Sequence, residues 1–132
     1  NFASAATLKP AIELLNILND NNLEEYNNSI KDYLLNILIN DERIRLYGVP
    51  RGTSEEKIPL FSFTVKGIHH EDLALILDKM GIAVRSGQMC AEPLMDRFGV
   101  TGMLRISLAP YNTMQEAEYF VKCLNKAIDM LI

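Results

Sequence analysis

The order in which the hydrophobic period changes along the chain is the strongest constraint on its fold. Apolar residues at helical spacing predict helices over residues 8–19, 23–39, 70–80 and 93–98 and a last helix after residue 113. Alternating or β-branched and aromatic runs predict strands over residues 44–49, 60–65, 82–84 and 103–109. The first seven residues show no period and are expected to form a loop. The resulting order, ααββαβαβα, predicts an α+β fold with a small mixed or antiparallel sheet that helices cover on one side.

Residue types at the predicted helix ends support these boundaries. Thr113 followed by Glu116 has the pattern of a capping box, in which each side chain hydrogen-bonds the backbone of the other. Gly81 stands at the C-terminal end of a predicted helix, where a left-handed backbone is needed. The polar run 20–22 predicts a break between the first two helices, which are expected to pack antiparallel, and the turn-rich residues 50–57 are expected to form a connector.

Length and composition place the chain among single globular domains. It has 132 residues, of which 48% are hydrophobic and 23% charged, so we expect one folded domain over residues 1–132. The net charge of −4 argues against nucleic acid or an anionic membrane as a partner. No apolar run approaches the roughly 20 residues of a membrane span. Two cysteines are too few for a secreted disulfide scaffold, so we expect a reduced, cytoplasmic protein.

Cys90 is the first candidate for a reactive side chain. It lies in a loop that leaves a predicted strand and contains Gly87, and Arg85 precedes it by five residues. The thiolate, not the thiol, is the nucleophile, and a nearby guanidinium favours the thiolate. The alternative is a small buried hydrophobe, which is the ordinary role of a free cysteine and the role that we predict for Cys123 in the last helix.

Arg105 is the second candidate. It lies between Leu104 and Ile106 in an apolar strand, so its charge must emerge at the sheet face or meet an anion. A guanidinium can bind a carboxylate through two parallel hydrogen bonds. The alternative is an internal ion pair with one of the 17 acidic residues. On the residues alone, the candidate site is a loop cysteine with two arginines, Arg85 and Arg105.

The adjacent histidines His69 and His70, followed by Glu71 and Asp72, could suggest a metal site. Adjacent side chains at a helix start point in different directions, however, and the chain has no further histidine. We therefore predict that this group caps the N-terminus of its helix and that the chain holds no metal. The sequence also has no phosphate-binding loop, no Gly-x-Ser-x-Gly motif and no paired carboxylates at catalytic spacing.

Two separated motifs resemble those of a known family. Residues 81–94, Gly-Ile-Ala-Val-Arg-Ser-Gly-Gln-Met-Cys-Ala-Glu-Pro-Leu, are similar to the active-cysteine region of the group II cysteine desulfurases and selenocysteine lyases, which are class V aminotransferases. Residues 104–113, Leu-Arg-Ile-Ser-Leu-Ala-Pro-Tyr-Asn-Thr, resemble a second block of that family, Arg-x-Ser-x-Ala-x-Tyr-Asn-Thr. The spacing of 15 residues from Cys90 to Arg105 also agrees. The specific resemblance covers about residues 67–125.

The resemblance implies the small domain of a fold-type I enzyme that uses pyridoxal 5′-phosphate (PLP) and acts as a homodimer. Such enzymes take sulfur from L-cysteine, or selenium from L-selenocysteine, and leave L-alanine. The sulfur is held as a persulfide for a sulfur-acceptor protein, as in iron–sulfur cluster assembly. Carried over to this sequence, Cys90 is the catalytic sulfur acceptor, Arg105 holds the substrate carboxylate, and Arg85 lies near the same carboxylate and thiol.

The chain departs from the family pattern in two respects. Gln88-Met89 stands where members usually carry a His-His or similar pair before the cysteine. Family members are also much longer, and their large domain holds the lysine that binds PLP. We therefore expect this chain, which begins at Asn1, to be the C-terminal small domain alone, with no cofactor-binding residues and no activity by itself. Two alternatives stay open: a non-catalytic interaction domain of the same fold, and another class V enzyme such as a lyase or epimerase.

Overall fold

The computed structural model describes residues 1–20, 23–48 and 57–132. In chain order, the elements are α1 (Phe2–Ala6), α2 (Leu8–Asp20), α3 (Leu23–Asn40), β1 (Ile44–Tyr47), β2 (Leu60–Val65), α4 (His70–Lys79), β3 (Arg85–Gly87), α5 (Glu92–Phe98), β4 (Met103–Ser107) and α6 (Met114–Leu131). This order confirms the predicted α+β fold. The predicted helix break at 21–22, the predicted strand end at Val49 and the predicted connector over 50–56 lie outside the described residues.

The four strands form one antiparallel sheet in the order β1-β2-β4-β3. The central strand β2 reads Leu-Phe-Ser-Phe-Thr-Val, an alternation that sends Phe61, Phe63 and Val65 to one face of the sheet. Phe61 and Phe63 are fully buried there. The opposite face carries Ser62 and Thr64 and is called the polar face below. Part of it is covered by α5, where Tyr47, Met95 and Met103 are buried together, so the prediction that helices cover one side only is wrong.

Helices α3, α4 and α6 supply the apolar side chains that cover the buried face. Their contributions follow the hydrophobic period of each helix: Ile30, Leu34 and Leu38 from α3, Leu73 and Leu77 from α4, and Ala117, Phe120, Leu124 and Ile128 from α6. Burial of each large side chain contributes about 1.5–3 kcal/mol. Cys123 is buried in the same core, which confirms its predicted structural role.

The predicted helix ends are confirmed. Thr113 and Glu116 form a capping box: the Thr113 Oγ1 accepts from the Glu116 N–H at 3.2 Å, and Glu116 Oε2 accepts from the Thr113 N–H at 2.7 Å. The hydrogen bond from the Thr113 backbone holds the pKa of Glu116 below its usual range. Gly81, which follows the C-cap residue Met80 of α4, has a φ of +79°, as predicted.

The predicted strand over residues 82–84 is wrong, because strand β3 begins at Arg85. The end of α4 explains the difference. Gly81 N–H donates to the Asp78 carbonyl at 2.9 Å and Ile82 N–H donates to the Leu77 carbonyl at 3.0 Å, which is the hydrogen-bond pattern of a Schellman motif. The backbone of Ile82 therefore closes the helix and does not pair with the sheet.

The predicted loop before residue 8 is also wrong. Residues Phe2–Ala6 form the short helix α1, since the side chain of Asn1 accepts from the Ser4 N–H at 3.2 Å and so caps it. Helix α2 follows as predicted, but its apolar stripe is largely exposed, with Ile12 56% and Leu15 53% accessible. Among the described residues, no helix is long and apolar enough to cross a membrane.

Candidate active site

One row of side chains crosses the polar face from edge to edge. Tyr47 of β1 pairs with Ser62 of β2, Ser62 pairs with Arg105 of β4, and Arg105 pairs with Arg85 of β3. Directly opposite residues of antiparallel strands point to the same face of the sheet. The register therefore brings together both arginines that the sequence singled out, although they lie 20 residues apart.

Arg85 and Arg105 face each other as two like charges. Two like charges at directly facing positions of adjacent strands destabilise a sheet, so this pair requires an explanation. In residues 1–20, 23–48 and 57–132, no carboxylate lies within ion-pair distance of either guanidinium. The internal ion pair that we considered for Arg105 is thus not formed within the described chain. A pair of unneutralised guanidinium groups is a site for an anion such as a carboxylate.

A cavity of about 430 Å³ adjoins this row. Its walls are mainly apolar. They come from the polar face, from residues next to β1 and β2, from α5 and from the turn that follows β3: Tyr47, Gly48, Lys57, Ile58, Leu60, Ser62, Met89, Ala91, Leu94, Met95, Phe98, Met103 and Arg105. Apolar walls with a few polar groups are typical of a small-molecule site. Arg105 lines the cavity, whereas Arg85 and Cys90 are not among its lining residues.

Cys90 lies at the tip of the turn between β3 and α5. The Ala91 N–H donates to the Gln88 carbonyl at 3.0 Å, and the two residues between them, Met89 and Cys90, have φ of 58° and 60°. Positive φ at both central positions is the pattern of a type I′ turn, which glycine, asparagine and aspartate dominate. Each such residue costs on the order of 1–3 kcal/mol, and strain of this kind concentrates at functional sites.

The turn exposes the Cys90 thiol and places its neighbours at the cavity. Cys90 is solvent-exposed, which fits a reactive cysteine and not a buried hydrophobe. Met89 and Ala91, on either side of it, line the cavity with Arg105. In the part of the chain that the structure describes, neither arginine hydrogen-bonds the Cys90 sulfur. The two predicted arginines thus lie on one face of the sheet, and the predicted cysteine lies in the turn whose neighbouring residues line the cavity.

Lys57 is a cavity residue that the sequence did not single out. It is 8% exposed, and its Nζ lies 4.9 Å from the centroid of the Phe61 ring, a cation–π contact. Burial lowers the pKa of Lys57, and the charge of Lys31 adds to this effect. In the sequence Lys57 stands at the end of a polar connector, and no pattern there indicates that the side chain is buried.

The two histidines have different roles, so the prediction that this group caps α4 holds for His69 only. The His69 ring accepts from the Glu71 N–H at 3.4 Å. His70 is instead buried, and its Nδ1 lies 2.8 Å from the Oγ of Ser86 on β3. Burial lowers the pKa of His70, and His69 lowers it further. No group of three or more potential metal ligands occurs among the described residues.

Acidification should destabilise the fold through His70. Its pKa lies below that of a histidine in an unfolded chain, about 6.5, so the unfolded state binds more protons as the pH falls below that value. The free energy of unfolding should be fully retained above about pH 6.5 and decrease as the pH falls through the folded-state pKa. Thermal melts between about pH 7.5 and pH 5 measure this dependence. The variant His70→Asn should show a flatter profile, and equal slopes for the two proteins would contradict the assignment.

Comparison with known proteins agrees with this architecture. The family profile described as aminotransferase class-V matches residues 1–120. A probable cysteine desulfurase of Vibrio cholerae is 37% identical over 131 residues, which are 99% of this chain and 31% of the relative. Cysteine desulfurase CsdA of Escherichia coli is 33% identical over 132 residues, or 100% of this chain and 31% of the relative. The crystal structure of E. coli CsdA superposes with a TM-score of 0.71 and 33% identity, covering 85% of this chain and 27% of the other.

Fold and site together define a class of protein: a small α+β domain with two arginines paired on one sheet face and an exposed cysteine in the turn that follows the edge strand. The chain belongs to the class-V aminotransferase family. Enzymes of this family use PLP. The chain spans less than a third of the length of the relatives described above.

Proposed function

We propose that residues 1–132 are the C-terminal small domain of a PLP-dependent cysteine desulfurase, and that Cys90 receives the sulfur of L-cysteine as a persulfide. The observation that supports this best is the register pair Arg85–Arg105. Neither guanidinium has a carboxylate partner among the described residues, and Arg105 lines a cavity whose wall includes both neighbours of an exposed cysteine. A carboxylate-bearing substrate with a sulfur atom fits this combination of groups. The names of the similar proteins, cysteine desulfurases, point to the same substrate.

The arginines bind and orient the substrate in this proposal. Arg105 is half-buried and lines the cavity, so its planar fork can donate two parallel hydrogen bonds to the two carboxylate oxygens. Arg85, directly opposite, adds a second positive charge. The single negative charge of the substrate carboxylate would offset part of their mutual repulsion. Binding by the carboxylate leaves the sulfur end of the amino acid free to approach the turn that carries Cys90.

Cys90 acts as the nucleophile. As a thiolate it attacks the substrate sulfur, so that an S–S bond forms while the carbon–sulfur bond of the substrate breaks. The substrate carbon keeps the electron pair of that bond and gains a proton, which leaves L-alanine. Bound PLP supplies the electron sink for this bond cleavage. An exposed thiol at a turn is also accessible to a sulfur-acceptor protein. We propose that the intact enzyme is a cytoplasmic homodimer that passes the persulfide sulfur to such a partner.

The described cavity offers one amine that could bind PLP covalently. Lys57 is the one lysine among the described cavity residues, and its ammonium group is engaged with the Phe61 ring. We therefore propose that the residues that anchor PLP belong to another part of the enzyme.

The 132-residue chain by itself should form no stoichiometric adduct with PLP. The chain is mixed with PLP and reduced with borohydride, and the products are mapped by mass spectrometry. Scattered, substoichiometric labelling of exposed lysines is expected. A single stoichiometric adduct on one lysine would show that this chain holds its own cofactor. If that lysine is the one in the cavity, the adduct should be lost in Lys57→Arg.

The function is tested on the intact protein that contains this domain. When loaded with PLP, it should convert one equivalent of L-cysteine to L-alanine and form one equivalent of persulfide on Cys90. Further turnover should follow when a reductant is added to remove the persulfide sulfur. L-selenocysteine is the second substrate to compare. Release of pyruvate and ammonia would identify a lyase, racemised cysteine would identify an epimerase, and no conversion would favour an interaction domain.

A further inference from the structure

Strand β3 determines the positions of Arg85 and Cys90, yet its own backbone pairing is limited. It has three residues, pairs with β4 alone and lies at the edge of the sheet. Arg85 faces Arg105, and the repulsion between two like charges acts to separate the strands. Cys90 follows three residues after the strand ends. The geometry of the candidate site therefore depends on what else holds β3.

A hydrogen bond from α4 holds the other side of this strand. Ser86 pairs with Leu104, which is fully buried on the side of the helices. The side chain of Ser86 therefore also points away from the polar face and toward the helices. The Ser86 Oγ lies 2.8 Å from Nδ1 of His70, the first residue of α4, and either atom can donate. Within the described chain, β3 makes no other side-chain hydrogen bond.

Gly102 contacts the His70 ring from another side. A β-carbon at Gly102 would overlap the ring atoms Nε2, Cδ2 and Cε1 of His70. The backbone of Gly102 is not in the left-handed region, so space and not backbone geometry requires a glycine here. Gly102 directly precedes β4. One buried side chain of α4 thus touches both β3 and the start of β4, the strands that carry Arg85 and Arg105.

We propose that His70 is a positioning residue, which through Ser86 fixes β3 and so sets the places of Arg85 and Cys90 relative to Arg105. This proposal rests on the proposed function in assigning those three residues to one site. The steric requirement at Gly102 and the hydrogen bond to Ser86 are independent observations of the same ring. His70 itself touches none of the proposed reacting groups.

The first test measures amide hydrogen exchange in the 132-residue chain. Ser86→Ala removes one oxygen atom, and His70→Leu removes the ring nitrogen and keeps an apolar side chain. Both should speed exchange over residues 85–90 by about tenfold, the effect of losing one hydrogen bond, and leave α6 unchanged. His70→Asn keeps a polar atom near the place of Nδ1 and should restore slow exchange. Gly102→Ala, which displaces the ring, should resemble His70→Leu.

Unchanged exchange over residues 85–90 in Ser86→Ala would overturn the proposal, since that variant removes only the hydroxyl. Iodoacetamide labelling checks the fold of every variant, because Cys123 is buried and Cys90 is exposed. Labelling of Cys123 in His70→Leu would indicate global unfolding. Ser86→Ala and His70→Asn then decide the question, because both changes are smaller.

The second test measures kinetics in the intact enzyme. Ser86→Ala and His70→Leu should raise KM for L-cysteine by about fivefold or more with PLP content unchanged, and His70→Asn should stay within about twofold of wild type. Faster exchange with unchanged KM and kcat would overturn the positioning role and leave His70 a purely structural residue. A wild-type enzyme without desulfurase activity would instead overturn the proposed function, while the exchange result would still test how β3 is held.

Discussion

Replacing Cys90 with serine is expected to abolish persulfide formation and sulfide release from L-cysteine in the intact enzyme. Serine is nearly the same size, but its hydroxyl is almost never ionised at neutral pH and cannot hold sulfane sulfur. The fold should be unaffected, since Cys90 is exposed and serine meets the same positive φ of 60°. Mass spectrometry of the enzyme after one turnover measures the added sulfur atom, and PLP absorbance checks that the cofactor is still bound.

Cys123→Ala is the matched control for this experiment. It removes the other thiol of the chain, which is buried in α6 and for which we expect a packing role and no chemical one. We expect persulfide still to form in this variant. Sulfide release at the wild-type rate by Cys90→Ser would show that another group accepts the sulfur. Loss of persulfide only in Cys123→Ala would identify Cys123 as the acceptor.

The second large effect is expected at Arg105. Lysine keeps the charge but loses the planar fork, so Arg105→Lys in the intact enzyme should weaken binding of L-cysteine by about 1.5–3 kcal/mol, the contribution of a hydrogen bond to a charged group. Thermal stability should change little, because no described carboxylate pairs with Arg105 and the repulsion from Arg85 persists. Substrate titration and thermal melts of the same samples separate the two effects.

Arg45→Lys serves as the matched control for Arg105. Arg45 lies on the same face of the sheet, on the far edge strand β1, and stacks over the Tyr47 ring at 4.9 Å. The same chemical change there should leave the affinity for L-cysteine unaltered. A large loss of thermal stability in Arg105→Lys with unchanged affinity would decide against substrate binding and identify Arg105 as a structural residue.

Local patterns in the sequence predicted most of the fold. The alternation over residues 60–65 gave a strand with the same bounds, and Thr113 with Glu116 gave the capping box, because both depend on neighbours within a few residues. The strand predicted over residues 82–84 failed for a local reason as well. Ile82 and Val84 have strand-forming side chains, but the Ile82 N–H closes α4, a choice between two hydrogen-bond partners that side-chain type does not reveal.

The site was less accessible from the sequence, because it depends on strand register. The sequence identified Arg85, Cys90 and Arg105 one by one, whereas the pairing of the two arginines follows from how β3 aligns with β4. The contact between His70 and Ser86 joins residues 16 apart through the packing of α4 on the sheet. Such a contact produces no periodic pattern in the sequence. His70 stands in a group typical of a helix N-terminus, so the sequence indicated a capping role for it.

The turn that carries Cys90 restricts how far its sulfur can travel. A hydrogen bond closes the turn across only two residues, with β3 on one side and α5 beginning at Glu92 on the other. This short connection limits movement of the backbone, so rotation about the Cα–Cβ bond is the main freedom that the thiol retains. A molecule that reacts with Cys90 must therefore approach the sulfur, and its own reactive group must extend far enough to reach that atom.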